Sequence, residues 1–87
     1  MEVDFTDNAK NHLHFWKKSG NKNIQNKIQR LIFSIQKTPY SGIGKPELLK
    51  HNLAGLWSRR INQEHRLIYE IDEEKDLVYI HSLKGHY

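Results

Sequence analysis

The sequence predicts an α+β fold in which two amino-terminal helices pack on one face of a small, mainly antiparallel sheet. Three observations carry that prediction. The hydrophobic period is helical from Ala9 to Ile35 and strand-like after Leu56. The strand-like segments are joined by short polar turns. The chain has 87 residues, 37% of them hydrophobic, which is the size of one helical layer against one sheet. No repeat, low-complexity tract or linker interrupts it, so residues 1–87 are expected to form a single domain.

The elements follow in order. Val3 and Phe5 alternate with Glu2 and Asp4 as in a short strand, and Thr6 or Asp7 is placed to cap a helix. Ala9, Leu13 and Trp16 continue at helical spacing until Ser19-Gly20-Asn21 breaks it. Ile24, Ile28, Leu31, Ile32 and Ile35 form one continuous apolar stripe on a second helix, whose polar face carries Lys22, Lys27, Arg30 and Lys37 and which ends at Thr38-Pro39. Residues 40–53 have no period, and Gly42, Gly44 and Pro46 predict a surface loop. Strands near residues 56–61, 65–71 and 77–82 should form a meander, with the acidic stretch from Glu70 to Asp76 at a solvated hairpin tip.

Alternation assigns the strand faces. His65, Leu67, Tyr69 and Ile71 share one side, and Arg66, Ile68 and Glu70 the other. Trp57 and Ile61 read as core positions, which turns Ser58 and Arg60 away from the core. A two-residue connection would set Arg59 opposite Arg66; a three-residue one, Asn62-Gln63-Glu64, sets Arg60 there and is favoured because it matches Trp57 and Ile61 with Tyr69 and His65 on the apolar face. Two adjacent guanidiniums repel unless an anion lies between them, and a phosphate suits that position.

The charge pattern narrows the chemistry. The net charge is +4, and between Asp7 and Glu64 stand eleven lysines and arginines with a single carboxylate, Glu47. A basic surface recruits polyanions through counterion release. Such a surface gains nothing from a central acid, whereas a site that removes a proton from bound nucleic acid needs one. A small RNA-cutting enzyme is therefore the first hypothesis. The absence of cysteine rules out disulfides and thiolate metal sites and fits a reducing cytoplasm. The acidic amino terminus and the short apolar runs predict neither a signal peptide nor a membrane span. His12 and His14, two apart on a helix, point to different faces and make a poor metal pair.

The run Lys45-Pro-Glu-Leu-Leu-Lys-His-Asn-Leu-Ala-Gly-Leu-Trp-Ser-Arg-Arg-Ile61, then Glu64-His-Arg-Leu-Ile-Tyr69 and the terminal His86-Tyr87, closely resemble the YoeB toxins of the RelE superfamily. The resemblance covers essentially the whole chain; Leu48 stands where a second proline is expected. It implies a RelE-like fold and a ribosome-dependent mRNA endonuclease, active in the cytoplasm and inhibited by a cognate YefM-type antitoxin. By similarity Glu47 is the general base, His86 the general acid and Arg66 the main stabiliser of the transition state. Lys50 and Arg60 then hold phosphate, and Tyr87 packs on or orients the substrate.

Metal-free transesterification needs these group types: a base for the 2′-hydroxyl, an acid for the departing 5′-oxygen and cations around the phosphorane. No cofactor is implied. Implied partners are the antitoxin, the ribosome with messenger in its decoding site, a second copy of the chain and, jointly with the antitoxin, operator DNA. The basic face of the second helix reads equally as a solvated surface or as a dock for ribosomal RNA. The alternative function is a non-catalytic nucleic-acid-binding or antitoxin-binding module acting as a repressor subunit, which has no use for Glu47.

Overall fold

The structure is a computed structural model and describes residues 1–85. The chain runs β1 (Glu2–Phe5), α1 (Asp7–Ser19), α2 (Lys22–Lys37), β2 (Glu47–Leu48), a 3-10 turn (His51–Leu53), β3 (Trp57–Arg60), β4 (Arg66–Asp72) and β5 (Leu77–Ser82). The strands form one sheet in the order β1-β5-β4-β3-β2. Among the described strands β1 and β5 pair in parallel and the other neighbours antiparallel. Among the described residues, no helix is long and apolar enough to cross a membrane.

Local chemistry sets the helix ends. Thr6 accepts the Ala9 amide at 3.1 Å and Asn21 accepts the Ile24 amide at 3.1 Å, each satisfying a donor of the first turn. The α2 stripe buries Ile24, Ile28, Leu31 and Ile35 against Tyr69, Val78, Ile80 and other residues of the sheet, with Ala9 and Trp16 of α1 in the same cluster. Among the described residues, the opposite face of the sheet carries no helix. The expected hairpin register holds: Trp57 pairs with Tyr69 and Arg60 with Arg66.

The period-free segment is not a loop throughout. Glu47 and Leu48 pair with Ser58 and Trp57 as β2, an edge strand too short to show alternation. Flanking bonds from the Arg60 amide to Gly44 O (2.7 Å) and from the Leu49 amide to Leu56 O (2.9 Å) lengthen that contact.

Arg59 holds this arrangement together. Alternation sets it between Trp57 and Ile61 on the helix-facing side, and it is fully buried. All five guanidinium N–H groups have acceptors. Nε donates to the Tyr69 hydroxyl (3.1 Å), Nη1 to Ser34 Oγ (2.8 Å) and Ile43 O (3.1 Å), and Nη2 to Thr38 O (2.7 Å) and Ser41 O (2.8 Å). The Tyr69 hydroxyl in turn donates to Pro39 O at 2.7 Å. Burial pushes the Tyr69 pKa up, against the pull of the Arg59 hydrogen bond and charge.

The two loop glycines answer to this packing. A Cβ on Gly42 would stand 2.5 Å from Ser34 Oγ, and one on Gly44 2.6 Å from Leu31 Cδ2, with the backbone at φ +119° and +83°.

Replacing Arg59 with Met keeps much of the volume and removes every guanidinium donor, leaving Ile43 O without its partner and Thr38 O and Ser41 O with only the bonds from the Ser41 amide (3.3 Å) and Thr38 Oγ1 (2.9 Å). The expected loss is about 3 kcal/mol or more of unfolding free energy. At roughly 4–8 °C per kcal/mol for a domain of this size, that is a fall in midpoint of well over 10 °C. Urea and thermal unfolding of R59M measure it; a wild-type midpoint would show that the loop is held by other contacts.

Candidate active site

The helix-free face of the sheet gathers the candidate groups. Reading across strands, Glu47 lies opposite Ser58, and Ser58 opposite Ile68. Two residues further along β3 and β4, about 7 Å at the rise of a strand, Arg60 lies opposite Arg66 on the same face. Glu47 and Arg60 are exposed, Arg66 is half-buried, and Ile68 and Ser58 form a buried floor between them. Lys50 is exposed past the end of β2, on the far side of Glu47 from the arginine row. The fold therefore brings Glu47, Arg60 and Arg66 onto one face, with Lys50 at its margin. His86 and Tyr87 lie outside the described residues.

Arg66 is already partly committed. Its Nη1 donates to Asn62 O at 2.8 Å, with longer bonds to His65 O (3.3 Å) and Gln63 O (3.4 Å), so the hairpin turn fixes one arm of the fork. Among the described residues neither Nε nor Nη2 has an acceptor. Nor, among the described residues, does a carboxylate pair with Arg66: Glu70 pairs with His81 at 2.8 Å, and the Glu64 carboxylate is 4.0 Å from His65. His81 owes its place to a β-bulge, since Tyr69 pairs with Ile80 and Ile68 with Ser82, leaving His81 as the extra residue of β5.

Beyond Ser82 the chain leaves the sheet, and its backbone groups find other partners. The Leu83 amide donates to His12 Nδ1 at 3.0 Å, and Leu83 O accepts from Trp16 Nε1 at 2.9 Å. The Gly85 amide donates to His65 Nδ1 at 2.9 Å, and Gly85 O accepts the Arg66 amide at 2.8 Å. His12 and Trp16 are one turn apart on α1, which puts them on one face. Burial, and then the charge of Lys84, lower the His12 pKa below its usual value, as suits a ring nitrogen that accepts a hydrogen bond.

Arg59, His12 and His65 have structural jobs that the sequence reading left unassigned. For Arg59 a signal existed: a cation two residues from Trp57 and two from Ile61 must lie on the apolar face of the strand. For the histidines none existed, because their partners are backbone amides some seventy and twenty residues away.

Among the described residues, no group of three or more His, Cys, Asp or Glu is placed to hold a metal ion. A groove of about 640 Å³ runs between α1 and α2, lined by Phe5, Leu13, Trp16, Ile28 and Ile32 among others. It is on the helical side and contains none of the candidate residues.

Residues 5–87 match the family described as YoeB-like toxin of bacterial type II toxin-antitoxin system. Toxin YoeB of Synechocystis is 46% identical over 87 residues, covering 100% of this chain and 98% of that protein. Two solved structures from Staphylococcus aureus have the same fold. A YoeB-YefM complex superposes with a TM-score of 0.88 at 41% identity, and a YoeB dimer with 0.89 at 40%, each covering 100% of this chain and 98% of the other.

The His12 contact predicts a pH dependence of stability. The unfolded chain takes up a proton below the ordinary value of about 6.5, while the folded chain resists it. The contribution is thus complete above about pH 6.5 and is lost as pH falls toward the lowered folded value. Urea midpoints at about pH 7 and pH 5.5 should therefore fall more in wild type than in H12N, whose side-chain oxygen accepts the Leu83 amide without titrating. Equal losses would assign the acid sensitivity to other groups.

Proposed function

This chain belongs to the YoeB-like toxins of bacterial type II toxin-antitoxin systems, and from that premise we propose that it is an endoribonuclease that cuts messenger RNA in the ribosomal decoding site. The observation that carries the reading is the grouping of one carboxylate, Glu47, with Arg60 and Arg66 on the helix-free face of the sheet. A surface built only to bind phosphate has no role for that carboxylate. The site works in the cytoplasm, where messenger is translated.

In the proposed reaction Glu47 removes the proton of a 2′-hydroxyl, and the oxygen attacks the adjacent phosphate. Arg66 offers Nε and Nη2 to the phosphorane oxygens while the turn carbonyls hold Nη1, so the fork needs little reorganisation. If the phosphate also takes Nη1, it wins: a charge-assisted bond is worth about 1.5–3 kcal/mol against about 1 for one to a neutral carbonyl. Arg60 and Lys50 neutralise the remaining charge. His86 protonates the departing 5′-oxygen, and Tyr87 stacks on a base. The base, acid and cations are all side chains, and the scheme uses no metal.

Partners follow from the same reading. The S. aureus relative was solved with YefM and as a dimer. For this chain we take a YefM-type antitoxin, a second copy and, with the antitoxin, operator DNA as partners, and no membrane. An acidic antitoxin segment would supply carboxylates to Arg60, Arg66 and Lys50 in place of phosphate.

In a translation extract the wild-type chain should create new 5′ ends on a reporter message, and E47Q and H86Q should each cut the rate by about 10²–10⁴. Products should carry a 2′,3′-cyclic or 3′-phosphate and a 5′-hydroxyl. Undiminished cleavage by E47Q would remove the base assignment, and 5′-phosphate products would point to attack by water.

Arg66 should tolerate no point charge in its place. R66K keeps the cation and loses the planar fork, and is expected to lose about 10²-fold or more in rate, in the range found when a single oxyanion donor is removed. Near-normal cleavage by R66K would mean that charge alone matters there.

A further inference from the structure

Resting on the reading of His86 as the acid, we infer that His65 is a positioning residue that fixes the point from which the chain enters His86. The Gly85 amide donates to His65 Nδ1 at 2.9 Å, and the Arg66 amide donates to Gly85 O at 2.8 Å. Gly85 is bonded directly to His86, so these two hydrogen bonds anchor the acid's own backbone connection beside the backbone of Arg66.

The imidazole is itself held. Trp16 packs edge-on against it with ring centroids 4.8 Å apart and planes at 79°, and the Trp16 indole is tied to Leu83 O at 2.9 Å. Because Nδ1 accepts, the neutral ring carries its proton on Nε2, the nitrogen 4.0 Å from the Glu64 carboxylate.

The main chain of His65 serves the other half of the site. Its carbonyl accepts the Ile61 amide at 3.0 Å, the Asn62 amide at 3.3 Å and Arg66 Nη1 at 3.3 Å. One residue thus ties the Arg66 fork and the last anchored residue before His86 to the same hairpin turn. Side-chain and backbone bonds stand in here for a sheet ladder, since β5 ends at Ser82. An acid displaced by about 1 Å from its proton acceptor can lose about 10²-fold in rate, so this anchoring bears on the chemical step and not on ribosome binding.

Two substitutions separate positioning from packing. H65F keeps a ring against Trp16 and loses the acceptor; H65N loses the ring and keeps a side-chain oxygen close to where Nδ1 stood. Messenger cleavage on programmed ribosomes, with the rate at saturation and the half-saturating ribosome concentration both measured, is expected to fall about 10–100-fold in kcat for H65F with KM unchanged. H65N should recover most of that kcat despite a lower thermal midpoint. The Gly85 amide should exchange slowly in wild type and H65N, and fast in H65F.

Activities that follow the stability order, H65F above H65N, would overturn the inference, as would equal Gly85 exchange in wild type and H65F. A wild-type chain that leaves the message whole overturns the RNA-cleaving reading and this role with it. Wild-type cleavage matched by H65F overturns the role alone.

Discussion

The guanidinium of Arg59 joins parts of the chain that otherwise have little reason to meet. Its acceptors come from α2 (Ser34), from the segment after α2 (Thr38, Ser41 and Ile43) and from β4 (Tyr69). No carboxylate is among them, so a buried cation is held by dipoles alone. Removing such an ion from water costs several kcal/mol, and a hydrogen bond to a charged group returns about 1.5–3. The balance is favourable when all five bonds are made and close to neutral when two or three are. The residue therefore demands one conformation of residues 38–43, and that conformation delivers Gly44, β2 and Glu47 to the edge of β3.

The same strand divides the labour between its two faces. Trp57, Arg59 and Ile61 face the helices, while Ser58 and Arg60 face away toward Glu47 and Arg66. Because the helices cover one side only, the charged side needs no compensation from the core and can hold a concentration of cations that the interior would not accept. The acids of the β4–β5 turn are kept apart from it, one of them accepting a hydrogen bond from the Tyr40 hydroxyl at 2.8 Å. That separation preserves the positive field over the candidate site.

The segment beyond β5 shows how a backbone is anchored without a strand partner. Leu83 and Gly85 each have both main-chain groups satisfied, by His12 and Trp16 from α1 and by His65 and Arg66 from the start of β4. The first helix is thereby more than a cover for the sheet. Its one-turn pair His12 and Trp16 reaches Leu83, just past β5, and Trp16 also packs on the imidazole of His65. Residues from three separate stretches of sequence fix one surface, and no single stretch would form it alone.

The sequence by itself determined the helices, the three-strand meander and the Arg60–Arg66 register, because amphipathic periods of 3.6 and 2 and the match of apolar faces across a short turn are local properties. It singled out Glu47 through charge alone, and the motifs around it carried the family. The tertiary structure decided what local pattern does not encode. A two-residue strand such as β2 has no period to read, and its pairing depends on the loop that Arg59 organises. The burial of Arg59 became intelligible only once Ser34, Tyr69 and the loop carbonyls stood around it, since each acceptor lies ten or more residues away. Alternation placed His65 on the apolar face of its strand and spacing set His12 aside as a metal ligand, but neither had a role until the fold brought two distant backbone amides to their ring nitrogens. Hydrogen bonds to main-chain groups leave no residue-type signature at the partner, so only the folded chain could disclose them.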